Sequence, residues 1–198
     1  MPQFAEVVYN ITDAWVARLN LDNTYGTPVR VDYIGKVSFE YESDTDEIKS
    51  GGQIVETLTV PTKATGEITQ ASLDFAGMAV LLGTVNGSYS TTPNQYGVQD
   101  IPVGGEGLPY CGLIVAYASV YGGNMLAGFP KFRLDTVPGF DADQNKFRIG
   151  SANFTAIAPS VNARKVVRYK KYETAAAVPQ SAANFLAFFT TPPPSLFL

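Results

Sequence analysis

The chain has 198 residues, 45% of them hydrophobic and 16% charged, with one cysteine, no histidine and a formal net charge of −4. That length can bury a sizeable core. The acidic balance excludes a protein that grips nucleic acid electrostatically, the missing histidine removes the commonest general base and metal ligand, and a lone Cys111 excludes an internal disulfide.

The charged share is below the roughly 25% usual for soluble domains, which implies that partners cover part of the surface. Charge is also uneven: residues 1–83 hold 12 acids and 5 bases, the remainder 6 acids and 9 bases. Such a bipolar chain suits head-to-tail contact with copies of itself. The N-terminus shows no basic segment followed by an apolar core, and no apolar run is long enough to span a bilayer. The chain is therefore expected to be made and folded in a cytoplasm, with no membrane partner.

Along the chain, Trp15, Ala17 and Leu19 alternate with Val16 and Arg18 and predict a first strand over 14–19. Val29, Val31 and Tyr33 alternate with Arg30 and Asp32, and Val37, Phe39 and Tyr41 with Lys36, Ser38, Glu40 and Glu42. This predicts two further strands hinged at Gly35. Residues 43–52 read as a polar loop, with Ser43, Asp44, Asp46, Glu47 and Lys49 closing on Gly51 and Gly52. Ile54, Val55, Leu58 and Val60 resume a strand that Pro61 should end, and a short strand follows near 66–69. Phe75, Met78, Ala79, Val80, Leu81 and Leu82 then carry helical spacing. Ser72 is the expected N-cap and Gly83 the left-handed stop.

Residues 84–107, rich in Gly, Ser, Thr, Asn and Pro, read as a surface excursion. Residues 110–121 form the most apolar strand of the second half, with Leu113 and Val115 on one face and Ile114 and Ala116 on the other, so both faces should be covered. Gly122-Gly123-Asn124 signals a hairpin turn into a strand over 125–135. Residues 147–157 switch parity near Gly150, which predicts a bulge. A last strand covers 164–172. Recurrent turns and one good helix favour a mainly β, antiparallel β-sandwich or barrel with one short flanking α-helix. It should span 1–174, followed by an arm over 175–198 that holds no charged side chain. Phe185, Leu186, Phe188 and Phe189 should dock that arm on a neighbouring subunit or partner.

The stretch from "GTPVRVDYIGKVSFEYESD" through "KSGGQ", "IVETLTVP" and the helix "ASLDFAGMAVLLG" resembles the major tail tube proteins of long-tailed bacteriophages. The order of parts in the first half of the chain carries the resemblance. It implies a virion structural protein made in the host cytoplasm, a homo-oligomer whose rings, six subunits each, stack into a hollow tube. The partners it implies are other tail proteins (tape measure, terminator, tip or baseplate) and viral DNA that passes without sequence-specific binding. It also implies that the loop over 43–52 bridges to the adjacent ring. The competing reading is a carbohydrate- or receptor-binding β-sandwich module, for which Tyr89, Tyr96 and Tyr121 are the candidate exposed aromatics.

No residue pattern calls for catalysis, a cofactor or a metal. Asp141, Asp143 and Asn145 match the first spacings of a calcium loop, but Lys146 stands where glycine should turn and Ala152 where the bidentate Glu should be. Gly104-Gly105-Glu106-Gly107 lacks the spacing and following helix of a phosphate cradle. Arg164, Lys165, Arg168, Lys170 and Lys171 cluster near the last strand. DNA binding is one reading of them; the preferred one, given the acidic net charge, is a basic surface complementary to the acidic loop.

Overall fold

The structure, a computed structural model, describes residues 8–32, 34–50, 53–70, 75–83, 107–137, 140–143, 146–149, 151–159, 165–172, 174 and 176–191. Described strands are β1 (Val8–Arg18), β2 (Val29–Arg30), β3 (Ile34–Ser50), β4 (Gln53–Gln70), β5 (Cys111–Ser119), β6 (Asn124–Leu134), β7 (Phe140–Asp143), β8 (Lys146–Ile149), β9 (Ser151–Ile157) and β10 (Arg168–Tyr172). The helices are α1 (Phe75–Leu82) and α2 (Ala182–Thr190). One antiparallel sheet runs in the order β2-β1-β5-β6-β9-β4-β3, with β10 also paired to β6; β7 and β8 form a separate hairpin.

The sheet folds over itself because its apolar residues line one face from edge to edge. Val16, Leu113, Val115 and Phe129 meet Ala64, Ile68, Ala152, Phe154 and Ala156 from the other wing in one buried cluster. Phe39 of β3 stands edge-on to Phe129 of β6 at 4.9 Å, and Phe129 meets Phe154 at 5.4 Å. Helix α1 adds Leu81 to this core and ends at Gly83, whose φ of 72° only glycine adopts readily. The expected N-cap, Ser72, lies outside the described residues, as do the segment 84–106 and Tyr33.

β5 is buried on both faces, as its unbroken apolar run requires: Leu113 and Val115 enter the inner core, Ile114 and Ala116 a second one. Gly122 and Gly123 turn the chain back into β6 with φ of 90° and 70°. β6 is a central strand, yet it carries Pro130. The strand slips register against β5 between Cys111 and Leu113. On its other edge β6 changes partner, from β10 at Asn124–Gly128 to β9 at Phe132–Leu134. Proline thus sits where no ladder hydrogen bond is needed, and its carbonyl accepts the Tyr25 hydroxyl at 2.7 Å.

Four sequence expectations are corrected. Residues 43–50 are not a loop: β3 continues through them, paired with β4 up to Ser50↔Gln53. Pro61 does not end β4. It pairs with Ser43 at a bulge, past Lys63 where β4 has already parted from β9, so no second neighbour asks for its N–H. The parity switch near Gly150 is not a bulge in one strand but a break between β8 and β9, which belong to different sheets. A second helix, α2, forms in the uncharged arm, and it docks on the chain's own sheet rather than on a neighbour.

The reason for that docking is local. Ser181 caps α2, its Oγ accepting from Asn184 N. Phe185, Phe188 and Phe189, three and four apart, form one apolar stripe. They pack over Gly112 and Gly128, where a Cβ would stand 2.8 Å from Phe185 and 2.7 Å from Phe189. Tyr25 closes the cluster, 5.1 Å from Phe185. Burying Phe185 and Phe188 contributes on the order of 1.5–3 kcal/mol each.

Candidate assembly interface

Beyond Lys63 and Glu42, held together at 2.8 Å, β3 and β4 leave the rest of the sheet as a two-stranded arm. Its paired rows run from Ser43↔Pro61 to Ser50↔Gln53. At about 3.3 Å per residue the arm reaches roughly 25 Å. Ser43, Asp44, Thr45 and Glu47 are exposed on one strand and Thr57 to Thr62 on the other. Leu58 and Val60, on the same face of the arm, are 56% and 46% exposed, while Thr45 and Thr59 join hydroxyls across the other face at 3.2 Å. A free-standing hairpin is marginal in water at best, so exposed Leu58 and Val60 mark it as a surface that gains from being covered. The side chains of Asp46 and Lys49, and residues 51–52, lie outside what the structure describes.

The outer edge of β3 has no strand partner among the described residues. An edge of 17 residues is a template for pairing with another chain unless something covers it. The two-residue β2 does not mirror it: that edge is short, and Arg30 is tied to Asp13 at 2.8 Å.

The basic residues near β10 do not form one surface. Arg168 is buried, and its guanidinium donates to the Thr191 carbonyl at the C-terminal end of α2, where a cation is favoured by the helix dipole. Lys170 lies over the Phe188 ring at 4.7 Å; burial, and then Arg168, hold its ammonium below the usual lysine value. Lys165 and Lys171 are exposed, and Arg164 lies outside the described residues. Between Arg168 and Lys170, Tyr169 turns to the opposite face and shares a 2.6 Å hydrogen bond with Tyr41 of β3.

Sequence reasoning missed a second cationic surface. Tyr110, just before β5, lies beneath Lys131 at 4.5 Å and Arg133 at 5.2 Å, both from β6. Beside it the turn after β1 holds an open cavity lined by Arg18, Leu19, Leu21, Asp22, Pro109 and Lys131. The signal was present but non-local: only the β5–β6 register brings Lys131 and Arg133 to Tyr110.

The Cys111 thiol is buried and pushed up to about 12, which leaves it inert as a nucleophile at neutral pH. Among the described residues, no group of three or more His, Cys, Asp or Glu side chains could hold a metal, and no helix is long and apolar enough to cross a membrane.

No family model matches the chain, and no curated protein matches it. Among solved structures, it is similar to a chain of the cryo-EM structure of the anti-feeding prophage baseplate, symmetrised six-fold. The two are 13% identical with a TM-score of 0.32, over 86% of this chain and 97% of that one. A likeness that loose carries no argument about function.

Proposed function

We propose that the chain is a structural subunit that assembles with copies of itself, in the manner of a major tail tube protein: rings stacked into a hollow tube that conducts viral DNA. The observation that carries this reading is the arm over 43–61, two paired strands that expose Leu58 and Val60. An element that gains so little alone is maintained for an intermolecular contact. The open edge of β3 supports the same reading, since pairing edges around a ring would leave no strand unpartnered. So does the pattern resemblance in the first half of the chain. The role is mechanical rather than catalytic, and six subunits per ring is the number the resemblance implies.

Deleting the arm tests the reading. Ser43 and Pro61 are register partners, so a tight turn can join them and leave the remaining sheet intact. Sedimentation velocity across a concentration series should show large assemblies for the full chain and a folded monomer for the arm-deleted chain. Equal assembly by both would refute the role given to the arm. A binding module is favoured by one observation, Tyr121 standing 60% exposed beside Val120 on the β5–β6 turn. A full chain that stays monomeric at every concentration would select that alternative.

A further inference from the structure

Where the arm of one copy lands on the next can be read from the sheet's register. A single row of paired residues crosses the sheet through Tyr41, Ala64, Ala156, Phe132, Cys111 and Arg18. From that row the arm leaves in one direction, along increasing numbers on β3 and decreasing numbers on β4. Antiparallel pairing alternates the sense at each step, so the residues after Arg18 and those before Cys111 lie in the opposite direction. The turn bearing Leu21 and Asp22, and Tyr110, therefore lie on the other side of that row from the arm. A contact between two different surfaces is heterologous, and where its rotation does not close into a ring it builds a filament.

The chemistry of the two sides matches. At the arm, acidic Asp44 shares a face with apolar Leu58 and Val60, and acidic Glu47 stands on the opposite face with Thr45 and Thr59. On the other side, Lys131 and Arg133 lie over Tyr110, and neither has an ion-pair partner among the described residues. Leu21 caps the turn with 105% of its reference area exposed. The acid of this face, Asp22, accepts from Thr24 N at 3.0 Å and Thr24 Oγ1 at 2.6 Å. The aromatic ring holds both cations by their contact with its face. By contrast Arg168 and Lys170, the cations that sequence proximity suggested, are engaged with α2.

We propose that the shelf formed by Tyr110, Lys131, Arg133 and Leu21 is the acceptor for the acidic arm of a second copy of this chain. The proposal rests on the self-assembly reading and supplies its missing half. The Asp44 carboxylate meets the two cations, and Leu58 and Val60 on the same face meet Tyr110 and Leu21. The contact is polar at its rim and apolar at its centre.

Charge reversal with mixing tests it. One variant carries Asp44→Lys and Glu47→Lys, the other Lys131→Glu and Arg133→Glu. Each alone should lose about tenfold or more in sedimentable assembly, because both ends then carry like charge. An equimolar mixture should recover, since the basic arm of the first fits the acidic shelf of the second and the unaltered ends fit each other. The four changes in one chain should also assemble. Circular dichroism and thermal melting establish that each variant is folded. If the double change on β6 lowers the melting temperature, Arg133→Glu alone, at an exposed position, replaces it. Folded variants that assemble like the parent, or a folded mixture that stays soluble, overturn the shelf assignment and leave the assembly reading intact. A parent chain that never assembles overturns both.

Discussion

Replacing Phe185 with alanine probes whether the uncharged arm belongs to its own subunit. Phe185 is fully buried on α2, 5.1 Å from Tyr25 and 5.7 Å from Phe189, over Gly112. Large-to-small truncation at such a site costs about 3–5 kcal/mol, the transfer of the ring plus the cavity left behind. For a chain of this size each kcal/mol moves the melting temperature by about 2–4 °C, so F185A should melt roughly 6–20 °C lower. The upper part of that range requires that α2 unfold with the sheet rather than detach first. The control is Leu186→Ala, at a half-buried position on the same helix, which should cost less. The assay is thermal unfolding at several protein concentrations below the onset of assembly. Docking within the subunit makes the loss independent of concentration, whereas docking on a neighbour makes it grow as the protein is concentrated. A loss under about 1 kcal/mol, or one that tracks concentration, would refute the intramolecular packing of α2.

Gly128→Val should destabilise by about 1–3 kcal/mol, because a side chain there must displace the rings of Phe188 and Phe189; urea unfolding measures it, and an unchanged midpoint would contradict the packing. The Cys111 thiol is raised from its ordinary 9.0 to about 12, so the native state holds the proton longer than the unfolded chain. That contribution is complete below pH 9 and is lost as pH climbs through 9 toward 12. Cys111→Ala should therefore flatten the alkaline fall of stability, and identical pH slopes for parent and variant would exclude it. On β3, successive residues point their N–H groups alternately to β4 and outward. Of Val37→Pro and Ser38→Pro, the one with an outward N–H should fold but fail to assemble, measured by melting and sedimentation together. Assembly by both variants would argue against edge pairing.

The central strands were legible because burial leaves a direct mark on composition. The apolar run of β5 announces two covered faces, and the Gly122-Gly123 turn announces its return as β6. The arm was not legible, because a hairpin wet on both faces carries the same polar residues as a loop, and only its pairing tells them apart. Pro61 misled because a proline ends a strand only where a second neighbour requires its N–H, and topology decides that. The helix α2 had a readable sign, Ser181 followed by Phe185, Phe188 and Phe189 at helical spacing, hidden by the adjoining prolines and the lack of charge. The candidate site divided in the same way. Asp44 and Glu47 are exposed, as an acidic run signals, but on paired strands rather than in a loop. The basic residues grouped by sequence were separated by the alternation of β10, which sends Arg168 and Lys170 to α2 and Tyr169 to Tyr41.

Electron microscopy of the purified chain at high concentration tests the assembly reading most directly. The account predicts hollow tubes of stacked rings in which the arm of each subunit reaches the Tyr110 face of a subunit in the adjoining ring. Dispersed monomers at the same concentration, with the arm solvated, would contradict it.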